Sequence, residues 1–70
     1  MKLTVNGETR ALDALPKPST LEAVIRQLGH HPRLVVVEYN GTIITPAHWA
    51  DQTVQDGDNL EIVTIVGGGS

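Results

Sequence analysis

At 70 residues the chain has room for one domain, and folding at this size buries only about 60% of the surface that the unfolded chain exposes, too little to enclose a deep active-site cavity. Cysteine is absent, which removes disulfides, thiolate nucleophiles and sulfur-based metal sites and suits a reducing compartment. Five Lys and Arg, scattered singly, against eight Asp and Glu give a formal net charge of −3, and apolar runs are short, so neither nucleic acid nor a membrane is an expected partner and a cytoplasmic location is expected.

Lys2-Leu3-Thr4-Val5 alternates polar and apolar, meets Asn6-Gly7, and continues as Glu8-Thr9-Arg10-Ala11-Leu12, the pattern of a short antiparallel hairpin. Pro16 and Pro18 bar regular structure until Ser19-Thr20-Leu21-Glu22, which has the form of a capping box with Ser19 as the N-cap. Leu21, Val24, Ile25 and Leu28 then fall on one helical stripe, and Gly29 is placed to end the helix in a left-handed conformation. Leu34 to Tyr39 is rich in β-branched residues and is turned by Asn40-Gly41 into Thr42-Ile43-Ile44, a second hairpin. Thr45-Pro46 predicts one helical turn carrying Trp49, read as a plug at the edge of a small core. Asp56-Gly57-Asp58 is a turn signal, and Leu60 to Val66 is the last strand, running directly into Gly67-Gly68-Gly69 and Ser70.

Two hairpin-like pairs, one main helix and a final strand give too few helices for a doubly wound sheet and too mixed an order for a sandwich. The expected fold is α+β, a β-grasp (ubiquitin-like) roll with a mixed five-stranded sheet. Its last strand runs parallel to the first in the middle of the sheet, with the third on the other flank. Residues 1–66 form the domain and residues 67–70 a flexible glycine-rich tail. Glycine lacks a Cβ, so the tail is slim enough to enter a narrow site on another protein. His30, His31 and His48 do not supply the convergent ligands a metal needs, and Asp56 and Asp58 lack the other acidic positions of a calcium loop. Ser19 has no base beside it, so no metal site and no catalytic group of the chain's own is expected.

The chain resembles the ThiS family, the bacterial sulfur-carrier proteins of thiamine biosynthesis. The likeness is carried by Met1 to Gly7, Val37-Glu38-Tyr39-Asn40-Gly41-Thr42-Ile43-Ile44, the spaced Trp49, and Asp56 to Val63 leading into Val66-Gly67-Gly68-Gly69. The resemblance implies a carrier and cosubstrate rather than an enzyme. Its terminal glycine, Gly69, would be adenylated by a ThiF-like partner using ATP and Mg²⁺, and then converted to a thiocarboxylate. Sulfur would come from a cysteine desulfurase or persulfide and pass to a ThiG-like synthase that builds the thiazole ring. Gly67 and Gly68 would line the entry channel, and no cofactor would be bound by the chain itself. Members of the family end at the last glycine, whereas Ser70 follows here. Three readings of it are open, in this order: a remnant of cloning, a stub removed by a peptidase, or the mark of a member that carries no sulfur. Alternatives for the whole chain are a MoaD-like carrier for molybdopterin synthesis and a non-covalent ubiquitin-like adaptor.

Strand parity locates the expected docking face. If Glu38 and Glu61 face water, Leu34 and Val36 share the face of the first, and Val63 and Ile65 that of the second. Val35, Val37, Leu60 and Ile62 are left to pack under the helix. Leu34, Val36, Val63 and Ile65 would then form an apolar patch beside the tail, the expected contact for the adenylating partner.

Overall fold

The computed structural model describes residues 1–12 and 17–65. Strands β1 (Lys2–Val5) and β2 (Glu8–Ala11) form the first hairpin, followed by helix α1 (Leu21–Gln27), strands β3 (Val35–Tyr39) and β4 (Thr42–Ile44), and strand β5 (Asn59–Thr64). Their order in the sheet is β2-β1-β5-β3-β4, with β5 parallel to β1 and antiparallel to β3. This is the mixed five-stranded β-grasp roll expected from the sequence.

Both hairpins are closed by Asn-Gly, and the reason is backbone twist. A two-residue turn whose twist matches that of the strands needs positive φ at both positions. Asn6 and Gly7 have φ of 51° and 82°, and Asn40 and Gly41 have 48° and 89°. The registers that result pair Val5 with Glu8 and Tyr39 with Thr42.

Helix α1 has only seven residues, too few to persist alone in water, so its packing stabilises it. Leu21, Val24 and Ile25 are fully buried against Leu3, Val5, Val35, Val37, Leu60 and Ile62 of the sheet. The helix cap differs from expectation. Thr20, not Ser19, is the N-cap, and its hydroxyl accepts from Ala23 N–H at 3.2 Å. Ser19 is committed elsewhere, because its carbonyl accepts from Val54 N–H at 2.8 Å while Leu21 N–H donates to Gln52 at 2.7 Å. These bonds sew the helix start to the segment before β5. At the other end Gly29 has φ of 86°, its N–H donates to Arg26 carbonyl at 3.0 Å, and His30 N–H reaches Ile25 carbonyl at 3.2 Å, a Schellman closure.

A second difference lies before β3. Pro32–Leu34 form a 3₁₀ turn capped by His31, whose Nδ1 accepts from Arg33 N–H at 3.2 Å, so the strand starts at Val35 and Leu34 precedes it. Pro46–His48 form the other short turn, with Thr45 at its N-cap position but without a side-chain capping bond. Trp49 is 1% exposed and its indole N–H donates to Ile44 carbonyl at 2.8 Å, which fixes it as the plug between β4 and the core. Among the described residues no helix is long and apolar enough to cross a membrane.

Candidate functional site

Among the described residues, one face of the sheet is covered by α1 and the other is open. The β3–β5 register places Val36 opposite Val63 and Glu38 opposite Glu61, while Val37 and Ile62 form the pair between them and point into the core. Period-two alternation therefore puts Val36, Val63, Glu38 and Glu61 together on the open face. Ile65 lies one residue past β5, and its N–H donates to Leu34 carbonyl at 2.6 Å, so these two extend the same row. Leu34 is 49% exposed, Val36 38%, Val63 61% and Ile65 47%. The four residues expected to form the patch are thus brought side by side, although Leu34 comes from the turn and not from the strand.

Ile43 belongs with them and was missed. It is 62% exposed and sits opposite Glu38 on β4. The signal was present, since an Asn-Gly turn pairing Tyr39 with Thr42 puts Glu38 opposite Ile43 and so gives Ile43 the outer parity of Glu38. The open face is apolar along Leu34, Ile65, Val36 and Val63, then acidic at Glu38 and Glu61, with Ile43 at its margin.

The strand that bears half of this face is held by three asparagine and aspartate side chains. Beyond the register pairs Thr4–Asn59 and Val5–Leu60, β1 turns away. The Asn6 side chain then takes over the ladder: its Oδ1 accepts from Ile62 N–H at 2.7 Å and its Nδ2 donates to Ile62 carbonyl at 3.0 Å. On the other flank Asn40 Oδ1 accepts from Asn59 N–H at 2.8 Å and Asn40 Nδ2 donates to Asp58 at 3.3 Å. Asp58 Oδ2 also accepts from the Tyr39 hydroxyl at 2.5 Å and from Gln55 N–H at 2.7 Å. Each turn asparagine therefore both adopts the left-handed backbone and clamps β5.

The electrostatics of this node follow from those bonds. Burial alone would raise the Asp58 carboxyl, but the donors Tyr39, Gln55 and Asn40 favour its charged form and together hold it below the ordinary 3.8. Tyr39 moves the opposite way. Its bond to Asp58, its burial and the carboxylate's charge oppose ionisation and push the phenol from 10.0 up to about 12. Asp56 has a separate task, accepting from Lys2 N–H at 2.6 Å.

Among the described residues no cavity forms and no three His, Cys, Asp or Glu side chains converge. His30 follows the end of α1, His31 caps the 3₁₀ turn, and His48 ends the turn before Trp49. What the described residues offer is an open, partly apolar face. Gly67, Gly68, Gly69 and Ser70, the residues expected to carry the chemistry, lie outside the described residues, as does Val66.

The family model described as the ThiS family matches residues 3–69. A thiazole synthase of Paramagnetospirillum magneticum is 46% identical over 70 residues, which cover 100% of this chain and 21% of that protein. A thiazole synthase of Magnetococcus marinus is 33% identical over 69 residues, 99% of this chain and 20% of that protein. The chain thus spans about a fifth of the length of these relatives. The crystal structure of the thiamine biosynthesis protein ThiS from Geobacter metallireducens superposes with a TM-score of 0.79 at 31% identity, covering 99% of this chain and 100% of that one.

Proposed function

The chain belongs to the ThiS family, and from that membership we propose that it is a sulfur carrier for assembly of the thiazole ring of thiamine, acting as a cosubstrate of other enzymes. The observation that carries the reading is the span of the family match, which runs through the whole fold and the glycines to residue 69. The two relatives named as thiazole synthases support the thiazole branch over the molybdopterin one.

In this reading a carboxylate oxygen of Gly69 attacks the α-phosphorus of ATP in a ThiF-like partner. A P–O bond forms, the bond to pyrophosphate breaks, and the product is an acyl adenylate. The step is needed because a carboxylate at neutral pH repels nucleophiles, and adenylation converts its oxygen into a leaving group. The outer sulfur of a persulfide-type donor then adds to the activated carbonyl and AMP departs, leaving an acyl disulfide; a thiol, the reductant, attacks the donor's sulfur, forms a disulfide with it and expels the thiocarboxylate for a ThiG-like synthase. ATP and Mg²⁺ are bound by the partner. The chain contributes a slim glycine segment and a face to dock with, namely Leu34, Val36, Val63, Ile65 and Ile43. Gly67 and Gly68 would occupy the entry channel, where a Cβ has no space.

The requirement for a glycine carboxylate gives the test. A form ending at Gly69, incubated with the adenylating enzyme, ATP, Mg²⁺ and a sulfur donor, gains about 16 Da, the exchange of one oxygen for sulfur, while the form retaining Ser70 does not. Equal ATP–pyrophosphate exchange by both forms, with Ser70 still attached, contradicts the proposal.

A further inference from the structure

Glu38 and Glu61 stand directly opposite each other on the two strands at the heart of the open face. Cross-strand neighbours on one face lie about 5 Å apart at Cβ, and like charges so placed oppose folding. Among the described residues neither carboxylate has a Lys, Arg or His in salt-bridge contact. Val36 and Val63 form the next row on one side, and Ile43 flanks Glu38 from β4, so the pair is bordered by aliphatic side chains on two sides. On the β1 flank the neighbours are the uncharged Thr4 and Asn6, and Asn6 has both ends of its amide committed to Ile62.

A surface made of exposed aliphatics with two uncompensated carboxylates closing its row specifies what covers it. Resting on the reading of this face as the docking surface, we infer that the occupant is a heterologous protein surface presenting an arginine between Glu38 and Glu61, ringed by apolar side chains that meet Val36, Val63 and Ile43. The guanidinium is favoured over an ammonium because its planar fork can donate to two carboxylates at once. A second copy of this chain does not fit. A two-fold interface lays the same patch against itself and would gather four carboxylates, on chains that already carry a net charge of −3.

The test uses the full chain and the purified adenylating enzyme, with Kd measured by calorimetry at low and at high salt. The double variant Glu38→Gln and Glu61→Gln keeps size and removes charge. It should bind at least about tenfold more weakly at low salt, with a flatter salt dependence, and unfold at an equal or higher temperature because the repulsion is gone. The reversal Glu38→Lys with Glu61→Lys should weaken binding further, by about a hundredfold or more. Val63→Asp separates this inference from the docking reading beneath it. If Val63→Asp binds like the parent, the docking reading fails. If Val63→Asp loses binding while the glutamine variant keeps the parent's Kd and salt slope, docking stands and the arginine inference fails. A parent dimer in sedimentation equilibrium that dissociates on Val63→Asp would also overturn it, making a second copy the occupant.

Discussion

Replacing Asn6 by alanine tests whether a turn residue can hold the central strand in place. Asn6 sits at φ of 51°, accepts from Ile62 N–H at 2.7 Å and donates to Ile62 carbonyl at 3.0 Å. Alanine loses asparagine's tolerance of the left-handed region, about 1 kcal/mol. It also strips a partly buried strand N–H and carbonyl of their partners, about 1–3 kcal/mol. The expected loss is about 2–4 kcal/mol. A domain of this length has a total stability of about 3.5–10 kcal/mol, so the variant should melt about 10–25 °C lower. Urea unfolding followed by the emission of Trp49, the chain's one tryptophan, measures it. Asn6→Gly divides the two contributions, since it frees φ but leaves Ile62 unpaired, and should recover about 1 kcal/mol. A loss under about 0.5 kcal/mol for alanine, or a glycine variant as stable as the parent, would refute the clamp.

Val36→Asp and Val63→Asp should each weaken binding to the adenylating enzyme by more than about 1.4 kcal/mol, a tenfold change, with the unfolding midpoint kept, because both positions face water in the free chain. Unfolding of both variants would mean that the faces are reversed. Tyr39 is the chain's one tyrosine, so ultraviolet titration reports it alone, and it should ionise near 12, returning towards 10.0 in Asp58→Asn. Its raised value means that the bond's contribution to stability is whole below pH 10 and is lost as the pH climbs towards 12. Asp58, with its lowered value, gives the mirror image: its contribution is present above pH 3.8 and is lost as acid drives the pH through the lower folded value, an acid limb that Asp58→Asn should lack in pH-dependent unfolding. In the form ending at Gly69, Gly68→Ala should sharply slow ATP–pyrophosphate exchange with no change in unfolding midpoint, as the proposed tail role requires. A lower midpoint would place Gly68 within the packed domain.

How much of this could be read from the residues differs by the range of the interaction. Both Asn-Gly hairpins, the α1 stripe and the parity of β3 and β5 are local patterns, and local sterics alone decide them. The placement of Leu34 and Val63 on one face needed the additional knowledge that β3 and β5 are neighbours. The two errors of detail have separate causes, one distant and one local. Ser19 and Thr20 can each cap a helix, and the choice fell to Thr20 because the Ser19 backbone pairs with Val54, more than thirty residues away in the chain. Pro32 and the His31 side chain started a 3₁₀ turn where β-branched composition suggested strand. The Asn6 and Asn40 clamps were not legible, because a side chain's partner depends on which strand the fold lays beside the turn. The Tyr39–Asp58 bond is of the same kind, joining a strand end to a turn 19 residues away.

The central position of β5 has a mechanical consequence. A partner that gripped the chain beyond Ile65 and pulled along the axis of β5 would meet the bonds to β1 and β3 lying across that axis. Displacing the strand means sliding it against two ladders at once, with the rungs sharing the load and failing together. A strand at the margin of the sheet, such as β4, would have one ladder to resist with. Tension on the end of β5 would thus be met in shear by two ladders at once, and the strand would stay in the sheet until both gave way.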